Sequence, residues 1–193
     1  MIFYICDQEI AESWKSWFRQ NSLNLEMHDI AHTPRFVIRN FRPEEEEHFM
    51  SLFDDDQVTL HLPKRSRKEN LEIFKKTLSD YTAHKSLGRW GLFNNADGEF
   101  IGMCLLRNYD DEDGKIELGY VLARKYWGKG IASEMAMIMV GYGFTHANAK
   151  EIVAVTTLEN TGSQKVLQKA GLERMDNFVR DGEKLAYFRI IRK

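Results

Sequence analysis

Residues 116–140 read IELGYVLARKYWGKGIASEMAMIMV, and this stretch decides the fold. A segment with the composition of a β-strand runs into a Gly-Lys-Gly loop, which opens an apolar helix. The first amide groups of a helix have no acceptor within the helix, and the helix dipole adds partial positive charge there. Gly128 and Gly130 permit a close approach to the main chain, and Lys129 adds a cation. The loop is therefore predicted to bind an anion such as a phosphate or pyrophosphate.

Composition is that of a soluble globular protein. The chain has 193 residues, of which 43% are hydrophobic and 29% charged, and its net charge is −2. This balance argues against a protein that coats nucleic acid or an anionic membrane, and no apolar run is long enough to span a bilayer. The start of the chain lacks the pattern of a signal peptide. Two cysteines, Cys6 and Cys104, make neither a disulfide framework nor a zinc site, and Cys104 is predicted to be a buried apolar residue. We therefore expect a cytoplasmic protein.

The first 32 residues form an N-terminal extension, which precedes a main domain at 33–193. Four apolar residues of the extension fall on one face of an amphipathic helix: Ile10, Trp14, Trp17 and Phe18. This face either packs on its own domain or forms a self-association surface, which would make the protein a homodimer.

Regular elements follow from Arg35. Residues 35–41 alternate as a strand, with Phe36 and Ile38 on one face. Pro43 opens a helix whose acidic first turn, 44–47, is expected to be solvated. Residues 66–86 form a second helix, with Leu71, Phe74 and Leu78 inward.

Turn signals divide the rest of the chain. Three meander strands are predicted at 89–95, 99–109 and 115–123, a buried strand at 151–157, a helix at 160–170, and a final hairpin of strands 173–180 and 183–191. The helix after the glycine loop would cross over between two parallel strands. The fold class is α+β, with a mixed, mostly antiparallel sheet flanked by helices.

Other motifs are weaker. The glycine loop departs from the dinucleotide fingerprint because Ser133 replaces its third glycine. The acidic turn before Gly114 would put Tyr109 and Tyr120 at the ends of a calcium loop, where carboxylates are required. His28 and His32 lack a third ligand, so we expect no metal.

Three motifs in order resemble the GCN5-related N-acetyltransferases (GNAT family), and most closely their ribosomal-protein-alanine acetyltransferase branch. The motifs are 117–120 (ELGY), 124–132 (RKYWGKGIA) and 159–163 (ENTGS). The resemblance spans about 33–191. It implies the acyl-CoA N-acyltransferase fold, in which the sheet splays at its central parallel pair and acetyl-CoA enters the gap.

By this resemblance, Lys125 takes the first position of the phosphate loop, where relatives have Gln or Arg. The main chain of residues 120–122 would bind the pantetheine arm and polarise the acetyl carbonyl. The residues so assigned to acetyl-CoA are Tyr120, Val121, Leu122, Lys125, Trp127, Gly128, Lys129, Gly130, Ile131, Ala132, Asn160 and Ser163.

The reaction implied is acetyl transfer to a primary amine, which attacks only when neutral and therefore needs a base. Glu117 is the candidate base, although strand alternation could equally place it in a structural salt bridge. Many relatives protonate the CoA thiolate with a tyrosine, but Leu167 stands at that position, so Ser163 is the candidate acid. A thiolate can also leave unprotonated.

The acceptor stays open between a protein N-terminus and a small amine. The resemblance puts its groove around Tyr81, His84, Trp90 and Tyr187, each of which could equally be core. Two other functions remain: transfer of another acyl group, and a CoA-binding regulatory module without turnover, which the absent tyrosine favours.

Overall fold

The computed structural model describes residues 29–81, 86–109 and 112–192. The predicted helix of the N-terminal extension therefore lies outside the described residues, as does His84. In the described part, no helix is long and apolar enough to cross a membrane. The same residues contain no group of three or more His, Cys, Asp or Glu side chains that could hold a metal ion.

Nine strands and five α-helices are described. In chain order they are β1 Asp29–His32, β2 Phe36–Arg39, α1 Glu46–Ser51, α2 Asp56–Thr59, α3 Arg67–Tyr81, β3 Gly88–Asn94, β4 Phe100–Asn108, β5 Lys115–Leu122, α4 Ile131–Thr145, β6 Glu151–Thr157, α5 Thr161–Lys169, β7 Glu173–Arg174, β8 Phe178–Arg180 and β9 Glu183–Ile191. Short 3₁₀ turns at Pro43–Glu45 and Arg124–Tyr126 precede α1 and follow β5.

The strands form one mixed sheet in the order β1-β2-β3-β4-β5-β6-β9-β7, with β8 also paired to β9. Only β5 and β6 are parallel among the paired strands described, and α4 makes the connection between them. The predicted meander and the central parallel pair are confirmed. The sheet begins at β1, ahead of the predicted domain start, and the division of the chain at residue 33 stays a prediction.

Two apolar cores lie on the two faces of the sheet. Phe36 and Ile38 of β2 enter the core beneath α4, together with Met135 and Met139 of that helix. Phe74 and Leu78 of α3 form the second core with residues of α1. Because side chains alternate along a strand, the apolar pattern of β2 decides which face each residue joins. Cys104 is buried in the first core, as predicted, and burial raises the pKa of its thiol.

The acidic turn before α1 is not wholly solvated, contrary to the sequence prediction. Glu45 is only 7% exposed, and its carboxylate accepts hydrogen bonds from Arg39 at 2.7 and 3.0 Å. The Arg39 guanidinium also lies 3.6 Å from the centre of the Phe93 ring. Sequence alone gave no sign of this pair, because a run of four glutamates looks the same whichever member turns inward.

The predicted strand 173–180 is two separate strands. β7 pairs with the later part of β9, from Phe188 to Arg189, whereas β8 pairs with its beginning, from Glu183 to Leu185. Residues 175–177 lie between the two and belong to neither strand. The predicted turn at Asp181-Gly182 is confirmed, and both residues have positive φ.

Candidate active site

The central parallel pair opens into a gap. β5 pairs with β6 only from Lys115 to Glu117, although it stays paired with β4 as far as Leu122. Over the described residues, the second half of β5 therefore has one edge without a neighbouring strand. An edge of this kind presents a row of main-chain donors and acceptors.

The hydrogen-bond register between β4 and β5 shows which main-chain groups of β5 face the gap. The carbonyl of Lys115 accepts from Tyr109 at 3.0 Å, and the amide of Ala123 donates to Ile101 at 2.9 Å, so odd-numbered residues face β4. The amides and carbonyls of Leu118, Tyr120 and Leu122 consequently face the gap. The main-chain groups of Val121 face β4 instead, and its assignment to the cofactor stays a prediction.

The glycine loop follows directly at the end of β5. Gly128 and Gly130 have φ values of +72° and +77°, and α4 begins at Ile131. The Gly130 carbonyl accepts the amide of Glu134 at 3.1 Å. The amides of residues 131–133 precede that first intrahelical bond and point out of the helix end. Ile131 and Ala132 are thus placed to donate to an anion, beside the exposed Lys129.

Arg35 belongs to the site although no sequence motif indicated it. It lies just before β2, and its Nη1 donates to the carbonyl of Lys129 at 2.8 Å. Its Nε donates to Glu134 at 2.8 Å, so one guanidinium holds the loop and the first turn of α4 together. The two segments are 94 residues apart in the chain, and no local spacing could have revealed the contact.

Lys125 and Trp127 make contacts that the motif did not predict. The Lys125 ammonium binds Glu99, and the Tyr126 hydroxyl donates to the same carboxylate. Both hydrogen bonds lower the pKa of Glu99, and the one from Lys125 has the larger effect. The indole of Trp127 donates to the Leu122 carbonyl at 2.8 Å and leaves much of its ring exposed. Contact between Lys125 and a phosphate stays a prediction.

The start of α5 forms the other side of the gap. Asn160 caps the helix, its side chain accepting the Ser163 amide at 3.0 Å. The Tyr120 hydroxyl donates to Ser163 Oγ at 3.0 Å, which links β5 to α5 across the gap. Burial raises the pKa of Tyr120 to about 12, so the phenol remains a donor at neutral pH. Leu167 is 1% exposed and belongs to the core.

Glu117 lies at the vertex of the gap, on the sheet face opposite α4. It is the last β5 residue paired with β6 and is only 7% exposed. Its Oε2 accepts from Arg107 at 2.8 and 3.1 Å and lies 3.7 Å from Arg180 Nη1. The predicted alternative of a salt bridge is therefore present. Whether Glu117 also acts as a base stays a prediction.

A short segment around α2 joins the two sides of the gap. Arg124, after β5, lies 3.3 Å from the carboxylate of Asp55, and Thr157, at the end of β6, is 2.8 Å from His61 Nδ1. This segment therefore crosses the sheet near the open ends of both strands.

Two of the residues proposed for the acceptor groove belong to the core. Trp90 is 2% exposed and packs edge-on against Tyr142, beneath α4. The Tyr81 hydroxyl is buried, where it accepts a hydrogen bond from the Phe41 amide and donates one to the Arg89 carbonyl. Its role is therefore structural. Tyr187 lies on the same face of the sheet as Glu117, opposite α4.

A family model described as an acetyltransferase (GNAT) domain matches residues 35–173, which is most of the chain. The chain belongs to the GNAT family. The uncharacterized N-acetyltransferase p20 of Bacillus licheniformis is 30% identical over 159 residues, which cover 81% of this chain and 88% of the relative. The predicted family is confirmed, and with it the assignment of the chain as an acetyltransferase.

Solved structures confirm the GNAT fold. A GNAT-family acetyltransferase from Bacillus anthracis has a TM-score of 0.72 at 23% identity and covers 83% of this chain and 96% of its own. RimL, a ribosomal L7/L12 alpha-N-protein acetyltransferase solved with coenzyme A, has a TM-score of 0.71 at 13% identity. The match covers 86% of this chain and 98% of the RimL chain. The splayed sheet flanked by helices is the architecture that the sequence predicted.

Proposed function

We propose that this protein transfers an acetyl group directly from acetyl-CoA to a primary amine, either a protein N-terminus or a small molecule. The observation that carries the proposal is the open edge of β5, which leads straight into the glycine loop at the start of α4. A long cofactor with phosphates at one end fits such a path. A cytoplasmic location, where acetyl-CoA is available, is part of the proposal.

The phosphates are assigned to the helix start. The amides of Ile131 and Ala132 would donate to them, and Lys129 would add a counter-charge. Arg35 would act indirectly, because it fixes the Lys129 carbonyl and thereby the shape of the loop. The pantetheine arm would lie along Leu118 and Tyr120, where main-chain groups stand free for strand-like hydrogen bonds.

Acetyl-CoA supplies the activated thioester when bound. The amide of Tyr120 faces the gap and is the proposed donor to the acetyl oxygen. Glu117 is the proposed base: it would take a proton from the acceptor amine, directly or through water, as the new N–C bond forms. Because Oε2 of Glu117 already accepts from Arg107, Oε1 is the atom assigned to this step.

Ser163 is the proposed acid for the leaving sulfur. Its Oγ already accepts the Tyr120 hydroxyl, so the serine's own proton is left to point elsewhere. As the C–S bond breaks, that proton would pass to the thiolate while the Tyr120 hydroxyl passes its own proton to Ser163 Oγ, and solvent would then reprotonate Tyr120. Ser163 would thus supply the proton that a tyrosine at position 167 supplies in many relatives.

The test is CoA release from acetyl-CoA over a panel of free N-terminal peptides, polyamines, aminoglycosides and amino acids, with the acetylated amine identified by mass. Amine-dependent release with a matching product is expected. CoA binding without release on any acceptor would overturn the proposal in favour of a CoA-binding regulatory module. Faster turnover with a longer acyl-CoA would instead change the donor.

The helix that the sequence predicts around Trp14 and Trp17, outside the described residues, remains the proposed surface for a homodimer. Changing both tryptophans to serine should convert a dimer to a monomer in sedimentation. An unchanged mass would remove that idea without touching the catalytic proposal.

A further inference from the structure

Several arginines lie on the face of the sheet opposite α4, which also carries Glu117. Arg107 lies directly opposite Glu117 across β4 and β5, and Arg89 lies opposite Leu105, two residues earlier on β4. Residues two apart on a strand point to the same face, and directly paired residues do so as well. Arg89, Arg107 and Glu117 are therefore neighbours on one surface.

Two guanidinium groups on this face meet at one carboxylate. Arg107 donates to Glu117 through two nitrogens, and Arg180 reaches the same carboxylate oxygen at 3.7 Å from the final hairpin. Burial lowers the pKa of Arg89, and the like charges of Arg107 and Arg65 lower it further, while Asp80 opposes them. Like charges near a half-buried guanidinium are unfavourable, and an anion placed among them would relieve the repulsion.

Aromatic rings border this surface on the side of the hairpin. Phe178 packs edge-on against Tyr187 at 5.4 Å between ring centres, and Tyr109 lies 6.3 Å from Tyr187. The Arg180 guanidinium lies 5.2 Å from the centre of the Tyr109 ring, a cation–π contact that fixes its direction. The same rings contact Lys115, 4.9 Å from the centre of the Tyr109 ring, and Glu151, 3.5 Å from the Tyr187 hydroxyl, so this border carries both signs of charge.

We infer that the acceptor carries an anionic group, a carboxylate or a phosphate, which binds between Arg89 and Arg107 while the reacting amine lies at Glu117. The inference rests on the proposed function for the amine, whereas the anion site rests on the strand register that puts Arg89 and Arg107 on one face. Arg107 is 48% exposed at its side chain and can therefore reach a ligand without leaving Glu117. Arginine is suited to carboxylate and phosphate because its planar fork matches both.

The experiment measures peptide binding to the CoA-saturated protein by calorimetry. Four amidated peptides with a free N-terminus differ only at their second residue, which is Asp, Asn, phosphoserine or serine. One charge-assisted hydrogen bond corresponds to roughly a 10- to 100-fold ratio of dissociation constants, so the Asp or phosphoserine peptide should bind that much more tightly than its neutral partner. The two acidic arms distinguish a carboxylate from a phosphate.

Variants locate the preference on the protein. Arg89→Gln should reduce the acidic-to-neutral ratio by at least about tenfold. Arg192→Gln should leave the ratio unchanged, because Arg192 follows the end of β9 and donates to Asn148. If Arg89→Gln does not fold, the double variant Arg107→Gln/Glu117→Gln replaces the ion pair with a neutral amide pair and should lose the preference too. Equal binding of acidic and neutral peptides, no detectable binding of either acidic peptide, or a ratio that survives in the folded variants would overturn the inference.

The two proposals fail separately. If neutral amines are acetylated well and acidic peptides show no advantage, the anion site is wrong and the acetyltransferase reaction stands. If acidic peptides bind with the expected preference but no amine on the panel is acetylated, the anion site stands and the reaction is wrong.

Discussion

Gly130 offers the sharpest test of the phosphate loop. It precedes α4 with φ +77°, and a Cβ built on it would meet only the Arg35 guanidinium, at 3.9 Å. Replacing it with alanine therefore adds backbone strain without a clash. A non-glycine residue in the left-handed region costs roughly 1–2 kcal/mol. For a domain of this size, that corresponds to a fall in Tm of roughly 2–8 °C.

Gly182 is the matched control. It has φ +80° in the turn between β8 and β9, and a Cβ there would meet nothing within 4 Å. Gly182→Ala should cost about the same stability as Gly130→Ala. Only the Gly130 variants should lose CoA affinity, because only that turn belongs to the proposed phosphate site.

Gly130→Glu should have a larger effect on the ligand. A carboxylate about 5 Å from a phosphate costs roughly 3 kcal/mol at an effective dielectric constant of about 20, which is more than about 100-fold in affinity. Calorimetric titration with CoA measures this loss. Titration with pantetheine, which lacks the phosphates, should give the same weak affinity for the wild-type and the variant.

Two results would contradict the assignment of the CoA phosphates to the loop at Gly130. A folded Gly130→Glu protein that binds CoA as the wild-type does would remove the phosphates from this loop. Equal loss of CoA affinity in Gly182→Ala would show that general destabilisation is responsible. Thermal unfolding of each variant, measured in the same buffer, separates strain from ligand exclusion.

Three further predictions concern catalysis and stability. Glu117→Gln should lower kcat about 10²-fold at neutral pH with CoA affinity intact, and an unchanged pH–rate profile would leave Glu117 with only its ion-pair role. Ser163→Ala should lower kcat by roughly 10- to 100-fold, and Tyr120→Phe should lower kcat less. The double variant should be little slower than Ser163→Ala alone, and fully additive effects on kcat in steady-state kinetics would contradict a shared proton path. Glu45→Ala leaves Arg39 buried without its carboxylate and should cost about 3–5 kcal/mol in urea unfolding, whereas a loss under about 1 kcal/mol would show that the pair contributes little.

The sheet was largely predictable because its signals are local. Alternating apolar residues identified β2, and turns rich in Asn, Asp and Gly delimited the meander. The glycine loop and the cap at Asn160 were also readable, since each depends on residues a few positions apart. Three ordered motifs then indicated the family more firmly than any single one.

The errors have a common physical cause, which is contact between distant segments. Arg35 holds the loop from 94 residues away, and Glu45 turns inward to meet Arg39 across a strand end. The direction of the Val121 main chain depends on the register with β4, which periodicity alone does not supply. The break between β7 and β8 likewise depends on how each pairs with β9.

Acetyl transfer from acetyl-CoA to an amine is tested most directly by following both products in one reaction. Protein, acetyl-CoA labelled in the acetyl group and a primary amine are mixed, and free thiol and acetylated amine are quantified together over time. The free thiol and the acetylated amine should appear in equal amounts, both should require the amine, and both should disappear in Gly130→Glu. Thiol release without labelled amine, or transfer that persists in that variant, would contradict this expectation.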